Sequence, residues 1–168
     1  MKRVIKFRGK RTDTGEWAYG SLLKFDIGYI ITISETTESD DTLDENNSIV
    51  FSADEIAGVN PETIGQFTGL LDKNGKEIYE GDIVKSNLAI GIPNTGCSHK
   101  IGDLFVIVCM PSGYTLMAMR DYRYEGRREV PSLAWNLNNY FLWNYHNKFE
   151  VIGTIHDNPE LLEGGSHE

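Results

Sequence analysis

FTGLLDKNGKEIYEGDIVK, residues Phe67 to Lys85, is the stretch that decides the fold. Asp72-Lys73-Asn74-Gly75 suits a type I turn closed by a residue of positive φ, the place for Gly75, because glycine enters that region without a Cβ clash. Phe67, Leu70 and Leu71 precede the turn and Ile78 and Tyr79 follow it, so the segment predicts a β-hairpin. Glu80-Gly81-Asp82 then breaks the apolar run, and Ile83-Val84 resumes it as a short β-branched strand. Such a glycine supplies a bend, and the Asp82 side chain can accept hydrogen bonds from nearby backbone amides, as where a small barrel turns a corner.

The same grammar occurs sixty residues earlier. Phe7, Gly9, Gly15 and Tyr19 align with Phe67, Gly69, Gly75 and Tyr79 without a gap, and Thr12-Asp13-Thr14-Gly15 occupies the turn. Internal duplication and convergent hairpin chemistry both account for four identities. Either origin predicts strand-turn-strand in both places.

Outward from these hairpins, Val4 to Lys10, Glu16 to Lys24, Tyr29 to Ser34 and Ile49 to Phe51 read as strands. Ser52 with Glu55 has capping-box spacing, which predicts one helical turn at Ser52–Ile56. In the second half Thr63 to Leu71, Tyr114 to Met119 and Phe149 to His156 are expected strands. Leu104 to Met110, LFVIVCM, is the strongest strand and is expected to be buried on both faces. Leu88 to Gly102 holds three glycines and Pro93 and reads as a loop. Ser132 can cap a short helix over Pro131–Trp143, and Asn158 to Leu162 forms one capped turn with Pro159 at its first position. The expected core is Phe67, Leu70, Ile78, Ile83, Val106, Val108, Leu116, Val151 and Ile155.

Three blocks carry a family resemblance. IKFRGK (Ile5 to Lys10), TGLLDKNGKEIYEGDIV (Thr68 to Val84) and FEVIGTIHDNPELL (Phe149 to Leu162) resemble, in order and across nearly the whole chain, the YopX family of small bacteriophage and prophage proteins. The resemblance implies a mainly β fold with an SH3-type β-barrel, a phage context, and no catalytic residues to carry over. With the hairpin reading it places the barrel at residues 63–162, a small N-terminal β subdomain at 1–60 with an acidic loop at 34–48, and a tail at 163–168. The acidic loop and the long middle segment Leu88–Gly102 depart from shorter family members.

Bulk properties narrow the chemistry. The chain has 168 residues, 40% of them hydrophobic, enough for a core. No apolar run approaches the roughly eighteen residues of a membrane span, and MKRVIKFRGK lacks the apolar region of a secretory signal, so a cytoplasmic setting without membrane contact is expected. Cys97 and Cys109 are too few for a disulfide scaffold. His99 beside Cys97 invites a metal or nucleophile reading, yet no paired ligand spacing supports it, and His156-Asp157 fits capping better than acid–base work. GIPNTG (Gly91 to Gly96) lacks the Lys-Ser/Thr of a phosphate loop. No catalytic residue, metal or cofactor is expected.

Charge is unevenly spread. The net charge of −9 opposes general nucleic-acid affinity. Lys2, Arg3, Lys6, Arg8, Lys10 and Arg11 crowd the first eleven residues, whereas Glu35 to Glu55 holds eight carboxylates and no base. A basic edge strand that resists strand addition beside a solvated acidic loop is the plain reading. An acidic-ligand groove on the N-terminal strand, or a loop docked there, is the functional one. Aromatics cluster at Trp135, Tyr140, Phe141, Trp143, Tyr145 and Phe149, with Trp135, Phe141 and Phe149 expected to seal the barrel's open end. Tyr122 and Tyr124 alternate with Arg120, Arg123, Arg127 and Arg128, and Tyr122, Arg123, Tyr124, Arg127 and Arg128 form the candidate binding segment.

The function these features favour is non-enzymatic binding or assembly, with a host or phage protein or a second copy as partner. Alternatives are a nucleic-acid accessory protein and an acidic decoy that mimics DNA charge. Gly75→Val is expected to destabilise the protein by about 1–2 kcal/mol through Cβ strain at positive φ, read from the denaturant midpoint.

Overall fold

The computed structural model describes residues 4–33, 55–91, 98–110, 113–118 and 139–163. The expected acidic loop, the strand Ile49 to Phe51, Cys97, Trp135, the tail and the Tyr122–Arg128 segment lie outside the described residues. The protein is mainly β, with two larger antiparallel sheets and a two-stranded ladder among the described residues, and divides into two compact units, Met1–Gln66 and Phe67–Glu168.

In the first unit β1 (Phe7–Lys10), β2 (Trp17–Phe25), β3 (Gly28–Ile33) and β4 (Glu55–Val59) form an antiparallel meander. Glu55 and Ile56 therefore lie in a strand, not in the expected helical turn. Pairing of Ile33 with Glu55 and Thr32 with Ile56 satisfies their backbone through the ladder, which outweighs a local capping box. A 3-10 turn at Pro61–Thr63 follows, capped where Asn60 Oδ1 accepts from Glu62 N at 3.0 Å. Thr63 Oγ1 accepts from Lys10 N at 2.8 Å, so the turn is tied to the end of β1. The opening residues of β5 (Gly65–Leu71) then pair with β1, Gly65 opposite Arg8 and Gln66 opposite Phe7. Arg11 bridges Val59, and Thr12 N donates to Gly58 O at 2.9 Å. Ala18, Ile31, Ala57 and Val59 form the core, with Phe7, Leu22, Tyr29 and Ile64 against them.

In the second unit β5 turns into β6 (Glu77–Tyr79), and β7 (Asp82–Ser86), β10 (Leu104–Met110), β11 (Gly113–Ala118) and β12 (Phe149–Thr154) form a sheet of order β11-β10-β7-β12. Between β7 and β10, β8 (Ile90–Gly91) and β9 (Ser98–His99) make a two-residue ladder where a loop is expected. The helix α1 (Asn139–Tyr145) packs on β11, and a 3-10 turn at His146–Lys148 leads into β12. The chain then closes with α2 (Pro159–Glu163). Among the described residues the ladders do not close into a barrel.

The strand β10 is buried on both faces, as LFVIVCM implies. Phe105 and Ile107 join Leu70, Ile78, Val84, Leu116, Leu142, Phe149 and Val151 on one side. Val106 and Ile83 lie on the other, under Ile155, Leu161 and Leu162. Eight of the nine expected core residues are thus shared between two clusters rather than buried together, and Phe67, half-buried, belongs to neither. Strand alternation sends Val106 away from its neighbours Phe105 and Ile107.

The two hairpins share letters but not geometry. Gly75 takes φ +82°, and Asp72 N donates to Lys76 O at 2.8 Å, closing a three-residue loop. In the first hairpin Arg11 N donates to Glu16 O at 2.9 Å, one residue further out. Gly69 sits at φ +85° where the register shifts between Phe67 and Leu71. Gly9, its counterpart, instead makes room for Val59, which a Cβ would meet at 3.0 Å.

Asp72 joins the hairpin to the sheet. Its Oδ1 accepts from Asn74 N at 2.7 Å and Lys76 N at 2.9 Å, and its Oδ2 accepts from Val151 N at 2.9 Å on β12. Lys73 N donates to Phe149 O at 2.9 Å beside it. Burial opposes ionisation of this carboxylate, but the three amides and the nearby Lys76 outweigh it and hold the pKa below its usual value. The folded carboxyl binds its proton more weakly than the unfolded one. Its contribution to stability is therefore complete above about pH 4 and is lost as the pH falls through the lowered value. Asp72→Asn sets an NH2 group against at least one amide and is expected to cost about 1.5–3 kcal/mol at neutral pH. Denaturation series in acid should show a flatter decline for the variant than for the native chain.

Candidate functional site

The first unit carries a row of cations stacked on aromatic rings. Alternation along the first strand sends Phe7 and Gly9 toward the core and Lys6, Arg8 and Lys10 to the other face. Across the hairpin Lys10 pairs with Trp17 and Arg8 with Tyr19. The Arg8 guanidinium lies 4.6 Å from the centre of the Trp17 ring and Lys10 Nζ lies 5.6 Å from it. Lys6 Nζ lies 5.7 Å from the Tyr19 ring. These distances are within the roughly 6 Å over which a ring quadrupole attracts a cation.

Burial grades along the row. Arg8 is buried, at 4% exposure, Lys6, Lys10 and Trp17 are half-buried, and Tyr19 is exposed. A chain holding a guanidinium out of water needs counter-charge or acceptors close to it. Arg11 is turned to a different task. Its Nε and Nη2 each donate to the Asp13 carboxylate at 2.9 Å, and that fork pulls Asp13 down to about 2.

Other residues singled out from the sequence serve structure. His99 is buried, its ring edge-on to Phe105 at 4.9 Å, with Nδ1 3.6 Å from Asp103 Oδ2. The amides of His156 and Asp157 donate to Thr154 Oγ1 at 3.2 and 3.0 Å, and Thr154 Oγ1 donates to Asp157 Oδ2 at 3.0 Å. Asp82 is buried and accepts from Tyr79 N at 2.7 Å, the backbone role expected of it. Phe149 is buried, whereas Trp143 and Tyr145 on α1 are exposed. Among the described residues no helix is long and apolar enough to cross a membrane.

Sequence reasoning identified the basic strand and missed Trp17 and Tyr19 as its partners. The signal was present: Lys-x-Arg-x-Lys at residues 6–10 and Trp-x-Tyr at 17–19 have the same two-residue period across a hairpin, so they share one face. A double-mutant cycle with Arg8→Met and Trp17→Leu is expected to give a coupling of about 0.5–2 kcal/mol in urea unfolding. Additive effects would mean that the ring does nothing for the guanidinium.

A family model described as YopX protein matches residues 6–163. No curated protein matches the chain. Among solved structures, protein EF1440 from Enterococcus faecalis is 22% identical with a TM-score of 0.41, over 96% of this chain and 99% of that one.

Proposed function

Since the chain belongs to the YopX family, we propose that it is a phage- or prophage-encoded, non-enzymatic binding protein that works in the bacterial cytoplasm. Its Lys6–Arg8–Lys10 row engages an acidic segment of a host or phage protein. The observation that carries this reading is the stacking of the three cations on Trp17 and Tyr19. Rings that hold ammonium and guanidinium groups in place lower the entropy lost when those groups meet carboxylates. Arg8 and Lys10 lie over the Trp17 ring, where a base would otherwise stack, which favours an acidic polypeptide over single-stranded nucleic acid.

The SH3-type reading of the fold belongs with this proposal. Its support is that each unit has a 3-10 turn, Pro61–Thr63 or His146–Lys148, followed by a strand returning to the first strand of its own meander. Small barrels of this kind bind extended segments along their surface.

A fluorescein-labelled 15-residue polyglutamate peptide tests the surface by anisotropy in low salt. Replacing two half-buried lysines, Lys6→Gln with Lys10→Gln, is expected to weaken binding about fivefold and to reduce its salt dependence. Equal affinity for the native chain and the double variant would remove this row from the function.

A further inference from the structure

We propose, resting on that surface reading, that the partner's segment is amphipathic: its carboxylates meet the Lys6–Arg8–Lys10 row, and its apolar side chains cover an adjoining face of the same meander. Strand alternation defines that face. Ala18 and Leu22 on β2, Ile31 on β3 and Ala57 on β4 point to the core. Leu23, Phe25, Ile30 and Ile56 therefore point to the opposite side, which is also the side of the cation row.

The register makes these four residues neighbours. Leu23 lies opposite Ile30, and Ile30 lies opposite Gly58, two residues along β4 from Ile56. Phe25 lies opposite Gly28. Each glycine leaves the apolar side chain facing it without cross-strand cover on that side. Ile56 is 60% exposed and Phe25 51%, and Ile27 at the tip of the β2–β3 hairpin is fully exposed. Exposed apolar residues scattered singly need no explanation. Four that adjoin on one sheet face, with a fifth at its end, gain free energy when something covers them.

Continuity with the cations says what that is. Tyr19 joins the two halves, since it pairs with Arg8 across the first hairpin and lies four residues before Leu23 on the same face of β2. Phe7 pairs with Gly20, and the adjacent Ser21 pairs with Thr32, which pairs with Ile56. Three strand spacings, roughly 15 Å, thus separate the start of the row from the far side of the apolar face. About ten helical residues or about five extended ones span that distance, so one short segment reaches both. Charge complementarity puts its carboxylates at the β1 end and its apolar residues beyond them. A lipid surface also joins charge to apolar groups, but Asp26 stands between Phe25 and Ile27 at the tip. A bilayer would have to take up that carboxylate, and a net charge of −9 opposes an anionic leaflet. A protein segment can leave Asp26 in water.

The test compares two fluorescein-labelled 15-residue peptides by anisotropy on the full chain: polyglutamate, and a block peptide of glutamates followed by alternating leucine and serine. The native chain is expected to bind the block peptide about tenfold more tightly in low salt. Phe25→Thr with Ile56→Thr keeps strand propensity and is expected to bring block-peptide affinity down to that for polyglutamate. Lys6→Gln with Lys10→Gln should weaken both peptides. Equal affinity of the native chain for the two peptides, or a gain that survives the threonine substitutions, would overturn the inference and leave the surface reading standing. Polyglutamate binding that is indifferent to the lysines would end the surface reading and the inference with it. Phosphatidylserine vesicles that capture the native chain but not the threonine variant, with no gain for the block peptide, would overturn the inference in favour of lipid. Amide NMR on the native chain guards against a variant that misfolds. The block peptide should shift Phe25, Ile30 and Ile56 as well as residues 6–10, and polyglutamate only the latter. Shifts confined to residues 6–10 with both peptides would refute the shared face.

Discussion

The second unit depends on one carboxylate doing the work of a strand. The outer edge of β12 presents Val151 N and Phe149 O, and among the described residues no backbone ladder runs along that side. Asp72 Oδ2 and Lys73 N take them instead. The same carboxylate organises its own turn through Asn74 N and Lys76 N, so turn geometry and edge pairing are coupled. A hairpin with a different loop length would aim this side chain elsewhere. That explains why the turn has the sequence Asp-Lys-Asn-Gly: Asp supplies the acceptors, and Gly75 allows the chain to return at positive φ. The Lys73–Glu150 ion pair at 2.7 Å adds a third contact across the same seam, on the solvent side.

With that edge closed, the sheet can bury both of its faces. Ile83 and Val106 lie under α2, while Val84, Phe105 and Ile107 lie under the β5–β6 hairpin and α1. A strand that must bury both faces cannot alternate polar and apolar residues, and LFVIVCM does not. The closing block has a parallel logic. Thr154 N donates to Asn158 Oδ1 at 3.3 Å, which turns the chain so that Leu161 and Leu162 reach the cluster of Ile83 and Val106.

What was legible in the sequence follows from how local each cause is. The turn at Gly75, the doubly buried strand and the terminal helical turn at Pro159 are written in residues adjacent along the chain, and they were found. The strand at Glu55 was misread because its stabilising partners lie more than twenty residues away on β3, whereas the competing capping signal is local. The repeated hairpin motif was legible as two hairpins. It did not reveal that Gly9 and Gly69 act for different reasons, one yielding space to Val59 and the other adopting positive φ. The row of cations on rings was half legible. Basic residues count themselves, but which rings they meet depends on a register set by the turn at Thr12 to Gly15.

The row also shows how an acidic protein keeps a cationic surface usable. A net charge of −9 acts at long range and is screened within about 8–10 Å at physiological ionic strength. Cation–ring contacts act below 6 Å and are little affected by that screening. An approaching duplex of DNA, with charge spread along its length, meets the repulsive field before it meets Lys6, Arg8 and Lys10. A short acidic segment feels less of that field and finds cations already oriented by Trp17 and Tyr19. Under the proposed function, long-range repulsion and short-range preorganisation would therefore select by the size of the anion as well as by its charge. In that proposal, selectivity for a compact acidic segment would require both the excess of carboxylates and the two rings.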